Sequence, residues 1–137
     1  MGAWGIGIFD NDGAADWASG LEGQSDTTYV EDALDRIVAA GEQYVDASDA
    51  EEALAAAETV ARLKGTGGAR SAYSEAVDHY VARARIKPAP ALIAKAVEVV
   101  DRILREPSEL LELWNEGDEG ASWQAELAGL RERLTAG

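Results

Sequence analysis

The segment DAEEALAAAETVARLKG, residues 49–65, contains the pattern that decides the fold. Small side chains recur along it and would let a second helix approach closely; they are Ala53, Ala56, Ala57 and Ala61. Larger apolar side chains supply area for burial; they are Leu54, Val60 and Leu63. Ser48 followed by Glu51 has the spacing of a capping box, and Gly65 supplies a left-handed stop. We therefore predict a tightly packed helix between Ser48 and Gly65.

Helical spacing continues on both sides of this segment. Upstream, an apolar stripe predicts a helix over roughly residues 27–44; its members are Val30, Leu34, Ile37 and Gly41. Downstream, the glycine-rich loop of residues 65–71 leads to a helix that begins near Tyr73 and stops before Pro88. Residues 92–104 are the most apolar segment, and we expect them to form the central helix, buried on several sides.

The last helices are indicated by their caps and their spacing. Ser108 follows Pro107 and is expected to cap a short helix, and the apolar residues between Trp123 and Leu134 recur with helical period. The sequence thus predicts an all-α fold in one domain, residues 1–137. We expect a compact bundle of about six or seven helices over residues 11–137 and a glycine-rich, extended arm over residues 1–10 packed on it.

The charge of the chain is strongly negative and unevenly distributed. The chain has twelve basic and 26 acidic residues, which gives a net charge of −14, and residues 1–64 alone contribute −11. Since phosphate binding depends on Lys and Arg, direct nucleic-acid binding and binding to an anionic membrane are disfavoured. A basic protein is the complementary partner, although an acidic surface also favours solubility without any partner.

Several classes of chemistry are excluded by the absence of residues. Without cysteine the chain has no disulfide, thiolate metal site or cysteine nucleophile. His79 is the only histidine, which excludes sites that need two, and neither Ser71 nor Ser74 lies in a nucleophile elbow. We expect no cofactor. The sequence has no signal-peptide pattern and no long apolar run, so we expect a cytoplasmic protein.

The stretch FDNDGAADW, residues 9–17, is the densest group of candidate ligands. An EF-hand loop does not fit, because Ala14, Ala15 and Leu21 occupy positions that need an oxygen ligand, glycine and glutamate. A looser Mg²⁺ or Ca²⁺ site remains open; it would use Asp10, Asp12 and Asp16. The alternative is that Asn11 or Asp12 caps a short helix that ends near Gly20, with Trp17 turned inward.

The glycines before this stretch do not match a phosphate-binding loop, because Asp10 stands where a dinucleotide fingerprint needs its third glycine. We expect Gly5 and Gly7 to allow close backbone approach. The apolar residues that flank these glycines would dock on the helices; they are Trp4, Ile6, Ile8 and Phe9. Trp114 and Trp123 flank a glycine turn and are expected to close one end of the core, with a partner-binding patch as the alternative.

Three stretches resemble an uncharacterised bacterial family of unknown function, the one numbered 4259. They are MGAWGIGIFDNDGAADW at the start, EEALAAAETVARLKG in the middle, and SELLELWNEG with SWQAELAGLRERL at the end. The opening is the most specific; its matching residues are Gly2, Ala3, Trp4, Gly5, Gly7, Phe9, Asn11, Asp12, Ala15, Asp16 and Trp17. Later matches are Ser108, Glu109, Leu110, Trp114 and Trp123, whereas residues 65–73 depart from the pattern. The resemblance implies a small bacterial protein but no activity, cofactor or catalytic residue.

Three functional hypotheses follow. The first is a non-enzymatic interaction protein for a basic partner, for example an immunity or inhibitor protein. The acidic face of residues 26–58 suggests this hypothesis. The second is a metal-dependent or hydrolytic enzyme centred on Asp10, Asp12 and Asp16, with Asn11 beside them and Trp4 and Trp17 as walls. The third is a structural homodimer that uses the end of the bundle at Trp114 and Trp123.

Overall fold

A computed structural model of the chain describes residues 3–136; Met1, Gly2 and Gly137, which include the first two residues of the expected arm, lie outside the described residues. The described chain is an all-α bundle of seven helices, which confirms the predicted fold class. The helices are α1 Asp12–Ser19, α2 Thr28–Ala40, α3 Ala47–Lys64, α4 Glu75–Ala84, α5 Pro90–Ile103, α6 Glu109–Asn115 and α7 Gly120–Thr135, with one 3₁₀ turn, Ala72–Ser74, before α4.

Helix α3 is the centre of the bundle and contacts each of the other six helices. Every residue from Ala53 to Ala61 is buried, because alanine side chains on several faces let neighbouring helices approach closely. The prediction that residues 92–104 form the central helix is wrong. Helix α5 buries one face and leaves Ala94, Glu98 and Asp101 exposed, so bulky apolar residues alone did not identify the central helix.

Two predicted helix ends differ from the structure. Helix α3 begins at Ala47, so the capping box of Ser48 and Glu51 does not form. Instead, the Ala47 N–H donates to the Glu109 carboxylate of α6 at 2.7 Å, and a tertiary contact thus supplies the cap. Helix α2 ends at Ala40, before the predicted Tyr44, while the stop at Gly65 is confirmed by its left-handed backbone.

The described part of the N-terminal arm, residues 3–10, is a closed loop and not an extended segment. Ala3 and Asn11 form an isolated antiparallel bridge, and the Trp4 N–H donates to the Asp10 carbonyl at 2.9 Å. Ile8 and Phe9 enter the core with α1, as expected. No helix among the described residues is long and apolar enough to cross a membrane.

Candidate functional site

Asp10 and Asn11, at the centre of the opening stretch, bond to backbone N–H groups. The Asp10 carboxylate accepts from the Gly7 N–H at 3.1 Å, and a Cβ on Gly5 or Gly7 would lie only 2.6 Å from one of its oxygens. Asn11 accepts from the Ala14 N–H at 2.7 Å and caps α1, as predicted. Asp10 therefore closes the loop of residues 3–10, and this closure requires glycine at both positions.

Asp12 and Asp16 do not belong to a metal-binding group within residues 3–136. Both are exposed on α1, and Asp12 lies in the first turn, where the helix dipole favours a negative charge. Within residues 3–136, no group of three or more His, Asp or Glu side chains is arranged to hold a metal ion. The structure therefore separates Asp10, Asp12 and Asp16, which the metal hypothesis had grouped.

Three of the four tryptophans are buried, namely Trp17, Trp114 and Trp123, whereas Trp4 is exposed. Trp17 points inward, as expected, and stacks on Tyr29 with ring centroids 5.1 Å apart. Trp4 was expected to dock on the helices as a buried anchor, and the burial is wrong: it is 47% exposed, and its ring contacts that of Tyr73 with centroids 5.2 Å apart. Its backbone bond to Asp10 keeps it at the open end of the loop, while residues 8 and 9 occupy the core.

Trp114 and Trp123 close one end of the core, as expected. Their rings stack nearly parallel, 5.9 Å apart with an interplanar angle of 7°. Both side chains are buried, and Asn11 approaches them from the N-terminal segment around a small crevice shared with Glu51. That crevice holds about 10 Å³, space for no more than one water.

Glu51 is a titratable residue that lines this crevice. It is half-buried under the first turn of α1, where a Cβ on Gly13 would lie 2.6 Å from its carboxylate. Burial and then the negative charge of Asp12 raise the pKa of Glu51 to about 7. Sequence reasoning treated Glu51 as part of a cap, because nothing local to α3 indicates that α1 covers it.

A buried ion-pair network was missed by sequence reasoning. Glu58 of α3 is 1% exposed and accepts from Arg62 at 2.7 Å, from Arg133 of α7 at 2.6 Å and from the Gly68 N–H at 2.8 Å. Arg62 also binds Asp78 of α4 at 2.6 Å. A glutamate inside an alanine run, with arginine four residues later, is the signal that could have indicated it.

This network forms the floor of a cleft of about 190 Å³ between residues 3–10 and the loop of residues 65–71. Three acidic and three basic side chains line the cleft, so their formal charges cancel; they are Asp10, Glu58, Glu126, Arg62, Arg70 and Arg133. Because Glu58 and Arg62 use their polar atoms on each other and on neighbouring groups, the network serves to hold α3, α4 and α7 together.

The acidic patch is the surface formed by Tyr44, Glu106, Glu109 and Glu112. Tyr44 is 49% exposed and donates a hydrogen bond to Glu112 at 3.0 Å. Desolvation, this hydrogen bond and the negative charges of the three glutamates raise the pKa of Tyr44 to about 12. The patch therefore presents an aromatic ring among carboxylates, far from the opening motif in sequence.

Backbone contacts place Tyr44 beside α6. The Val45 N–H donates to the Pro107 carbonyl at 3.3 Å, and the Glu109 N–H donates to the Val45 carbonyl at 3.0 Å. The buried guanidinium of Arg102 donates to the carbonyls of Gly41 and Gln43 and also to that of Pro107, at 2.7 to 3.0 Å. Arg102 thus fixes both loops that carry the patch without pairing with its carboxylates.

A groove of about 440 Å³ lies between α2 and α5. Its apolar side chains include Ile37, Val38 and Val97, and Val38 is 42% exposed. One ion pair joins the two helices, Asp35 with Lys95 at 2.7 Å. A second joins the segments that follow them, Glu42 with Arg105 at 2.6 Å. We call this surface the α2/α5 groove.

Comparison with known proteins identifies the family. The model of the family described as domain of unknown function (DUF4259) matches residues 2–126, and the chain belongs to that family. No curated protein and no solved structure matches the chain.

Proposed function

We propose that this DUF4259 member is a non-enzymatic interaction protein of the bacterial cytoplasm that binds a basic segment of a partner protein. The observation that carries the proposal is the acidic patch, where an exposed tyrosine lies among three glutamates. An immunity protein or an inhibitor of a basic toxin is the concrete form, because charge complementarity speeds association in such pairs.

Tyr44 is suited to anchor a partner. Tyrosine is enriched among the residues that dominate interface energies, and the bond to Glu112 restrains the ring before binding, so less side-chain entropy is lost. Glu106 and Glu112 are exposed, and both would face lysine or arginine side chains of a partner.

The acidic first half of the chain, outside the patch carboxylates, supports association from a distance. Exposed carboxylates continue along α2 and the loops beside it; they are Asp26, Asp32, Asp35 and Asp46. With a net charge of −14, the chain attracts a cationic protein over about a Debye length, roughly 10 Å at moderate salt.

The two alternative hypotheses have less support from the geometry. Asp10 and Asn11 use their oxygens on backbone N–H groups, and the crevice beside Glu51 is too small for a substrate. Trp114 and Trp123 are buried against each other, so little of either ring is available to a second copy.

An oligolysine peptide is a suitable probe, with its affinity measured by NMR titration at about 50 mM and about 300 mM salt. We expect shifts at residues 44–46 and 106–112, and binding that weakens at high salt. The double variant Glu106→Gln, Glu112→Gln should bind several-fold more weakly, while the charge-matched control Glu22→Gln, Glu132→Gln should not. Equal weakening by both double variants would show attraction to net charge alone and would contradict the proposal.

Tyr44 needs a separate test because it carries no charge. Tyr44→Ala is expected to weaken binding by about tenfold, as for an interface anchor. Tyr73→Ala is the matched control, since Tyr73 is 51% exposed on another part of the surface. If the two variants bind alike, Tyr44 is not the anchor.

A further inference from the structure

We infer that the α2/α5 groove is the docking site for an apolar side chain of a basic amphipathic helix of the partner. This inference rests on the proposed function and adds a second contact surface to it. It commits the partner to one chemistry: an apolar stripe flanked by lysine or arginine.

The groove has the shape and composition for such an anchor. Its volume of about 440 Å³ lies within the range of small-ligand pockets. Ile37 is buried at its base, while Val38 from α2 and the half-buried Val97 from α5 keep apolar surface in contact with solvent. Covering that surface with a leucine-type side chain would remove it from water.

The charges around the groove favour a cation beside that apolar side chain. Its two arginines are already committed: Arg102 to backbone carbonyls and Arg105 to Glu42. Asp101 binds Arg131 at 2.8 Å, whereas Glu98 makes no ion pair within residues 3–136. A partner lysine or arginine would therefore find an unpaired carboxylate at the edge of the groove.

The groove adjoins the acidic patch along the chain. Gly41 and Glu42 line its end, and Tyr44 follows two residues later. Arg102 lines the groove and also holds the loops that carry the patch. An amphipathic helix laid in a groove is a common recognition mode, read through apolar residues at i, i+3, i+4 and i+7.

Two synthetic peptides of about 15 residues with equal lysine and leucine content test the inference. One has its leucines on a single helical face, and the other has the same residues in scrambled order. Ala94→Trp fills the groove without changing charge, and Ala128→Trp, at an exposed alanine of α7, is the matched control. Val38→Thr removes apolar character at nearly constant size and covers the case in which the tryptophan variant does not fold.

We expect the amphipathic peptide to bind about tenfold more tightly than the scrambled one and to shift the resonances of Val38 and Val97. Ala94→Trp and Val38→Thr should lose much of that difference, and Ala128→Trp should keep it. Equal affinity of the two peptides, or an undiminished difference in both groove variants, would overturn the inference while leaving salt-dependent binding intact. If neither peptide binds in a salt-dependent way, the proposed function fails and this inference with it.

Discussion

Glu58→Gln is the sharpest test of how the bundle is held together. The substitution keeps the size of the side chain but removes the charge that two arginines share, and it turns an amide N–H₂ toward one of their donors. Removing one partner of a buried ion pair costs about 3–5 kcal/mol. In the variant, Arg62 still pairs with Asp78, and Arg133 is partly exposed. We therefore expect the free energy of unfolding to fall by about 3 kcal/mol, at the low end of that range.

Urea unfolding followed by tryptophan fluorescence measures this loss. With a slope of about 2 kcal/mol per molar urea, the midpoint should fall by roughly 1.5 M. Glu42→Gln is the matched control, because its pair with Arg105 is equally short but lies on the surface, where solvent screens the charges and such pairs contribute little to stability. If both variants lower the midpoint to the same small extent, the assignment of the network as a structural connection is refuted.

Three further predictions follow from the same geometry. A raised carboxyl pKa means that the folded state binds more protons than the unfolded state between pH 4.5 and about 7, so ionised Glu51 destabilises the fold above this window. Glu51→Gln should therefore raise stability by about 1–2 kcal/mol at pH 8, a value discounted for partial exposure, and the gain should vanish near pH 4 in urea titrations. Trp123→Ala should cost about 3–5 kcal/mol in urea unfolding with unchanged mass in light scattering; a much smaller loss would contradict its role in the core, and a halved mass would support the homodimer. Mg²⁺, Mn²⁺ or Ca²⁺ should leave the melting temperature unchanged, and a rise that Asp12→Ala abolishes would revive the metal hypothesis.

Signals that act within one turn were readable from the sequence. Asn11 and Ser108 cap the helices that follow them, and Gly65 ends α3, because each acts on backbone groups only a few residues away. The prolines likewise mark the break between α4 and α5. Such local patterns sufficed for the fold class.

Features that depend on a distant segment were missed or assigned wrongly. The start of α3 depends on Glu109, more than sixty residues away along the chain, which no pattern near Ser48 indicates. The exposure of Trp4 depends on how the N-terminal loop closes on Asp10. Centrality of a helix depends on how closely all of its neighbours approach, and alanine-rich α3 permits this better than α5 with its larger side chains.

The candidate site was less readable than the fold for the same reason. Sequence reasoning concentrated on the opening motif, which is compact in the chain, whereas the acidic patch joins Tyr44 to residues 106–112. The uneven charge pointed to residues 1–64, whereas the carboxylates of the patch all lie in residues 106–112. The general expectation of a basic partner could be stated from composition, but the surface that would receive it required the packing of two loops on Arg102.

The acidic surface has two possible explanations, a cationic partner and solubility alone. The contacts of the basic residues favour the cationic partner. Most lysines and arginines bind carboxylates or backbone carbonyls within the chain; they are Arg36, Arg62, Lys64, Arg83, Lys95, Arg102, Arg105, Arg131 and Arg133. Each of these cations is thus restrained by an internal contact, while carboxylates such as Glu98 and Glu106 make no ion pair within residues 3–136. A partner approaching the acidic patch would therefore meet the carboxylate of Glu106, which makes no ion pair within residues 3–136, near the exposed ring of Tyr44.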